Sequence, residues 1–126
     1  PGMRKIRNDN LSKSFKHLFN AFFYSMAGLK SCFKTETAFR QECFLALFAL
    51  PLSFYFGQTG VEKALLAGSY LMIMVVELLN AALEKTVDRI SLERHDLSKQ
   101  AKDMGSAAVF MAILVAAIIW FCVLFA

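Results

Sequence analysis

The chain has 126 residues, of which 57% are hydrophobic, with a formal net charge of +4 and a mean hydropathy of +0.49. This is too short for two ordinary domains and too apolar for an ordinary soluble one, so the sequence predicts a single integral membrane unit over 1–126. Basic flanks lying against anionic lipid head groups explain the charge better than a nucleic-acid surface does in so apolar a chain.

The first predicted element is a surface helix over about 11–34. Leu11, Phe15, Leu18, Phe19, Phe22, Phe23, Met26, Leu29 and Phe33 recur at helical spacing and draw a broad apolar stripe, with Lys13, Lys16, His17 and Asn20 on the other side. Such a helix lies in the membrane interface with its aromatic rings at the acyl boundary. Ser14, Ala21, Ser25 and Gly28 form a third, small-residue strip. It either packs the helix or walls a binding site.

Three further helices, over about 36–56, 62–86 and 97–126, are predicted to contain membrane crossings. Their apolar runs, Phe39 to Phe56, Ala64 to Leu83 and Met104 to Ala126, each approach the ~20 residues that span ~30 Å of hydrocarbon. The first is the weakest, being short and interrupted by Pro51. Thr35 is a candidate cap for it, and Glu36 and Arg40, one turn apart, fit a surface ion pair. Gly57-Gln-Thr-Gly60 reads as a tight turn, and Asp96 or Ser98 as the cap of the last helix. In that helix Ala101, Gly105, Ala108, Ala112 and Ala116 make a small-residue seam that predicts close helix contact, within the chain or between protomers. Of fourteen Lys and Arg residues, eight precede Gln41 and five lie between Lys85 and Lys102. The positive-inside rule therefore predicts a cytoplasmic amino terminus and second connection, with the Gly57 turn and carboxyl end outside. Cys32, Cys43 and Cys122 have neither metal-ligand spacing nor an even count.

Chemistry concentrates on the second crossing. Glu77, Asn80, Glu84 and Asp88 follow at steps of three, four and four, so they share one helix face. Glu77 stands eight residues before Lys85, about 12 Å along the axis, at head-group depth. A carboxylate there needs a use or a partner. Glu36, Glu77 and Glu84, with Asn80, Lys102 and Asp103, suit a hard cation beside phosphate, and Mg²⁺ is usually held by one or two carboxylates plus the phosphates. The sequence has no P-loop, dinucleotide fingerprint or protein-kinase motif set. From the residues alone an interfacial lipid-modifying enzyme, a small proton-coupled transporter or channel subunit, and a structural membrane protein all remain open.

Glu36-Thr-Ala-Phe-Arg-Gln-Glu42, Val76-Glu-Leu-Leu-Asn-Ala-Ala-Leu-Glu-Lys-Thr-Val-Asp-Arg89 and Ala101-Lys-Asp-Met-Gly-Ser-Ala-Ala108 resemble the prokaryotic diacylglycerol kinase family. The resemblance implies an all-α homotrimer in the bacterial inner membrane. Each protomer would have a surface helix and three crossings and would transfer the ATP γ-phosphate to diacylglycerol. It implies Glu77 as general base, Glu36 and Glu84 as Mg²⁺ ligands, and ATP contacts from His17, Tyr24, Glu36, Glu84, Glu93, His95, Lys102 and Asp103. It places Ala21, Ser25, Arg40, Glu77, Asn80, Ser106 and Trp120 toward the lipid substrate. Where family members carry a phosphate-contacting arginine in the surface helix, this chain has His17, with Lys16 beside it. Undecaprenol kinases share the E-x-x-N-x-x-x-E pattern and are the alternative within the enzyme class.

Overall fold

The computed structural model describes residues 2–90 and 92–126. Among them every regular element is helical: α1 (Gly2–Thr35), α2 (Thr37–Phe56), α3 (Gly60–Ile90) and α4 (Asp96–Phe125). The chain divides into two units, 1–35 and 36–126.

The first unit is α1 alone. It begins well before the predicted 11, because the amphipathic period fades over Asn8-Asp-Asn10 while nothing after Gly2 breaks a helix. Leu11, Phe15, Leu18, Phe19, Phe22 and Phe23 are all exposed, and so are Lys13, Lys16, His17 and Asn20 on the other side. Thr35 does not cap the next helix. It ends α1, with its hydroxyl donating to the Ser31 carbonyl at 2.9 Å, while Glu36 takes the N-cap position of α2 in extended backbone (φ −113°, ψ 111°) without a side-chain cap bond.

In the second unit α3 packs against α2 and, along most of its length, antiparallel to α4. The turn between α2 and α3 is closed by a capping box. Glu62 N–H donates to Thr59 Oγ1 at 3.1 Å, and Glu62 Oε2 accepts from Gln58 N–H at 2.7 Å and Thr59 N–H at 3.2 Å. Gly57 is required there, since a Cβ would sit 2.7 Å from the Lys63 nitrogen and 2.9 Å from its Cα.

The core is narrow: Phe39, Leu66, Ile73, Ala81 and Ala116 are buried, whereas Phe44, Phe48, Phe54, Phe110 and Phe121 face outward. So much exposed apolar surface fits lipid or partner helices and does not fit water. Three polar side chains within this region find backbone carbonyls as partners. Ser53 Oγ donates to the Ala49 carbonyl at 2.7 Å, Tyr70 to the Glu42 carbonyl at 2.6 Å, and Trp120 Nε1 to the Leu66 carbonyl at 3.1 Å. The last two tie α2 to α3 and α3 to α4.

Two helices, α3 (31 residues) and α4 (30 residues), are long and apolar enough to cross a membrane. At 1.5 Å per residue each is about 45 Å long, so about a third of each extends beyond the hydrocarbon. α2 does not reach that level of hydropathy, because Arg40, Gln41 and Glu42 occupy its start and Pro51 and Ser53 its later turns. α4 is not capped by Asp96 or Ser98. His95 is its N-cap, with Nδ1 accepting from Leu97 N–H at 3.1 Å, and Asp96 instead lies in the first turn, where a negative charge suits the helix dipole.

Candidate active site

Glu77, Asn80 and Glu84 occupy successive turns of α3 and are each half-buried. The 3-4 spacing alone would align them; what raises them from a solvated stripe to a site is what α2 and α4 bring. Glu36, at the start of α2, is half-buried as well. Glu77 lies within electrostatic reach of Glu84 and Glu36, and Glu42 within reach of Glu77. Two turns of α2 and two of α3 thus face each other through carboxylates. Arg40 stands between Glu36 and Glu42 on α2, its guanidinium donating to Thr37 Oγ1 at 3.1 Å.

Among the described residues no three His, Cys, Asp or Glu side chains are grouped closely enough to hold a metal ion by themselves. The oxygen donors suit a hard cation whose remaining ligands come from phosphate and water. Two atoms here are sealed from solvent without a hydrogen-bond partner, Glu42 Oε2 and Asn80 Oδ1. Buried polar atoms are nearly always paired, so two orphans beside one acidic cluster make this the candidate place for a further partner.

Where the helices extend past the apolar runs, α3, the connection and α4 enclose a cleft of about 510 Å³, whose lining includes Asp88, Glu93, His95, Lys102 and Asp103. Lys102 Nζ donates to Asp88 Oδ1 at 2.7 Å, and Lys99 Nζ to Asp103 Oδ2 at 2.8 Å. Lys102 also feels the Glu84 carboxylate, although Glu84 itself is not among the residues that line the cleft.

Thus Glu36, Glu77, Asn80 and Glu84 fall into one cluster, and Glu93, His95, Lys102 and Asp103 into the adjoining cleft. His17, Ala21, Tyr24 and Ser25 lie exposed on α1, where the Ser25 hydroxyl is turned back onto the Ala21 carbonyl at 2.8 Å. A Cβ at Gly28 would meet no atom within 4 Å. Ser106 is exposed on α4, one residue past Gly105. Trp120 is farther along α4, half-buried beside an apolar hollow that also includes Phe48, Tyr70 and Ile113. Part of the small-residue seam makes contact within the chain, for Gly105 comes against Asn80 and Ala116 is buried, whereas Ala108 is exposed.

Sequence reading gave no role to Glu42 or Lys99, placed Gly105 only in the packing seam, and saw Asp88 only as the end of the acidic line. For Glu42 a signal existed, an acid two turns into an apolar helix.

Residues 23–124 match the family model described as prokaryotic diacylglycerol kinase. The chain is 54% identical over 109 residues to a diacylglycerol kinase of Haemophilus influenzae, covering 86% of this chain and 92% of that one. Over 105 residues it is 49% identical to the Pseudomonas aeruginosa diacylglycerol kinase, with 83% and 85% covered. Over 115 residues it is 44% identical to that of Escherichia coli K12, with 91% and 93% covered.

Proposed function

The chain belongs to the prokaryotic diacylglycerol kinase family, and we propose that it phosphorylates diacylglycerol to phosphatidic acid with ATP at the cytoplasmic surface of the membrane. The observation that carries the reading is the half-buried acidic line of α3, within electrostatic reach of Glu36 at the start of α2, with Lys102 of the neighbouring cleft in reach of Glu84.

In this reaction the primary hydroxyl of the lipid attacks the γ-phosphorus. Its proton passes to a Glu77 carboxylate oxygen, and the bond between γ-phosphorus and the bridging oxygen breaks, releasing ADP. A carboxylate in apolar surroundings is a stronger base than one in water, which suits Glu77 to the proton transfer. Mg²⁺ held by Glu36, Glu84 and the phosphates would neutralise charge during transfer. Lys102 adds a fixed positive charge at the cleft, and Asp88 orients it. Tyr24, Glu93, His95 and Asp103 are assigned to the nucleotide, and His17, with Lys16 beside it, to its phosphates. Ala21, Ser25, Arg40, Asn80, Ser106 and Trp120 are assigned to the lipid side.

The same reading takes α2 as a third, shorter crossing beside α3 and α4, and the active form as a homotrimer in the bacterial inner membrane. The outward Phe faces of α2 and α4 supply surface for lipid and for neighbouring protomers, and the basic connections support the cytoplasmic orientation.

Solubilised protein with labelled ATP, offered diacylglycerol and undecaprenol side by side, tests the proposal. Labelled phosphatidic acid is expected. Labelled undecaprenyl phosphate instead would move the chain to the alternative substrate, and ATP use independent of either lipid would overturn the kinase reading.

A further inference from the structure

Two separate observations meet at one point of the α3–α4 contact. Asn80 Oδ1 is buried without a hydrogen-bond partner. A Cβ built on Gly105 would collide with that same oxygen and would stand 3.2 Å from Asn80 Cγ and 3.1 Å from Leu83 Cδ2. The seam of α4 is otherwise built from alanine, at 101, 108, 112 and 116. Only where Asn80 lies opposite is the methyl group missing as well.

Close helix packing alone does not explain that choice, because alanine suffices at 116, the most buried position of the seam. What differs at 105 is that the opposing side chain is a polar one, close against α4 and in the line of Glu77 and Glu84. We propose that Gly105 is a positioning residue, whose bare backbone gives the Asn80 amide the room to stay in register with Glu77 and Glu84. A methyl group at 105 pushes on two neighbours. The end of the Leu83 side chain can swing aside, but the Asn80 amide can yield only by leaving the line. Displacing a polar group in a reacting site by about 1 Å costs up to roughly 10²-fold in rate.

The inference rests on the kinase reading for its rate measurements, but the contact itself is testable without activity. Gly105→Ala is expected to lower kcat by about ten- to a hundredfold, with KM for MgATP changed less than about threefold. The second half of the test is a double-mutant cycle with Asn80→Ala, which empties the space the methyl group needs. Asn80→Ala/Gly105→Ala should be no slower than Asn80→Ala alone, and should melt at least as high as Gly105→Ala. If the rate losses of the two single variants multiply, or Gly105→Ala turns over at the parent rate, Gly105 does not act through Asn80. Should Gly105→Ala fail to fold, recovery of the fold in the double variant supports the inference and its absence overturns it. A parent protein without lipid-dependent ATP use would remove the kinase reading, while the melting temperatures would still decide whether Gly105 and Asn80 compete for one space.

Discussion

The two ends of the α3–α4 pair are built on opposite principles. At the Leu66–Trp120 end the contact is closed: Leu66 is 0% exposed, Ala116 is buried, and the indole N–H of Trp120 is spent on the Leu66 carbonyl. At the Glu77–Lys102 end the contact is open. Its Asp88–Lys102 ion pair is half-exposed, a glycine replaces the alanine of the seam, and Asn80 Oδ1 is left without a partner, as is Glu42 Oε2 on neighbouring α2. The same two helices therefore close their contact at one end and leave hydrogen-bonding capacity unused at the other. Under the proposed function, stability and chemistry are separated along the helix axis.

Mutations can break this contrast. Glu77→Gln keeps the size of the side chain but removes the base, so turnover should fall by about 10²- to 10⁴-fold while the melting temperature and ATP binding hold. Turnover within about threefold of the parent would take Glu77 out of the mechanism. At the other end Leu66→Ala should do the reverse, lowering unfolding free energy by about 2–5 kcal/mol and leaving the rate per folded molecule near that of the parent. Equal losses of stability and rate in both variants would dissolve the distinction. Glu36→Gln and Glu84→Gln sharpen it within the acidic end. Each should raise KM for MgATP, and excess Mg²⁺ should restore activity in at least one of them while doing nothing for Glu77→Gln. Identical Mg²⁺ titrations for all three would show that the carboxylates do not divide base from ligand. The smallest effect is expected from Asp88→Asn. Surface ion pairs add little to stability, so the melting temperature should stay put while KM for ATP rises a few-fold, because Lys102 loses the carboxylate that orients it. A shift in melting temperature with no change in KM would make the Asp88–Lys102 pair a structural tie.

How far the sequence revealed this depended on the separation of the partners. Glu77, Asn80 and Glu84 share one helix, so their spacing alone put them on one face. Lys102 and Asp103 could be grouped with the carboxylates by depth alone, but taken singly a lysine and an acid at a helix start are ordinary flank residues, and only the family motif gave them separate roles. Glu42 stayed without a role because its electrostatic partner, Glu77, is on another helix, and no spacing rule reaches between them. The seam around Gly105 announced close packing but could not announce Asn80 as the group opposite. Helix ends failed for a different reason. His95 caps α4 although Asp96 and Ser98 are the commoner capping types. Thr35 turned its hydroxyl back onto its own helix and left the boundary to Glu36. Both choices are made by backbone geometry in the connection, which composition does not encode.

The capping box at Thr59–Glu62 and the acidic line that begins at Glu77 bracket a run with no charged side chain after Lys63. From Thr59 to Glu77 the helix rises about 27 Å, close to the ~30 Å hydrocarbon thickness of a bilayer. With polar groups pinned at both ends, α3 acts as a ruler against the membrane. A thicker bilayer draws Glu77 below the head groups and a thinner one lifts it toward water, unless the helix tilts. The thickness of the surrounding lipid thus sets the depth of the Glu77 carboxylate.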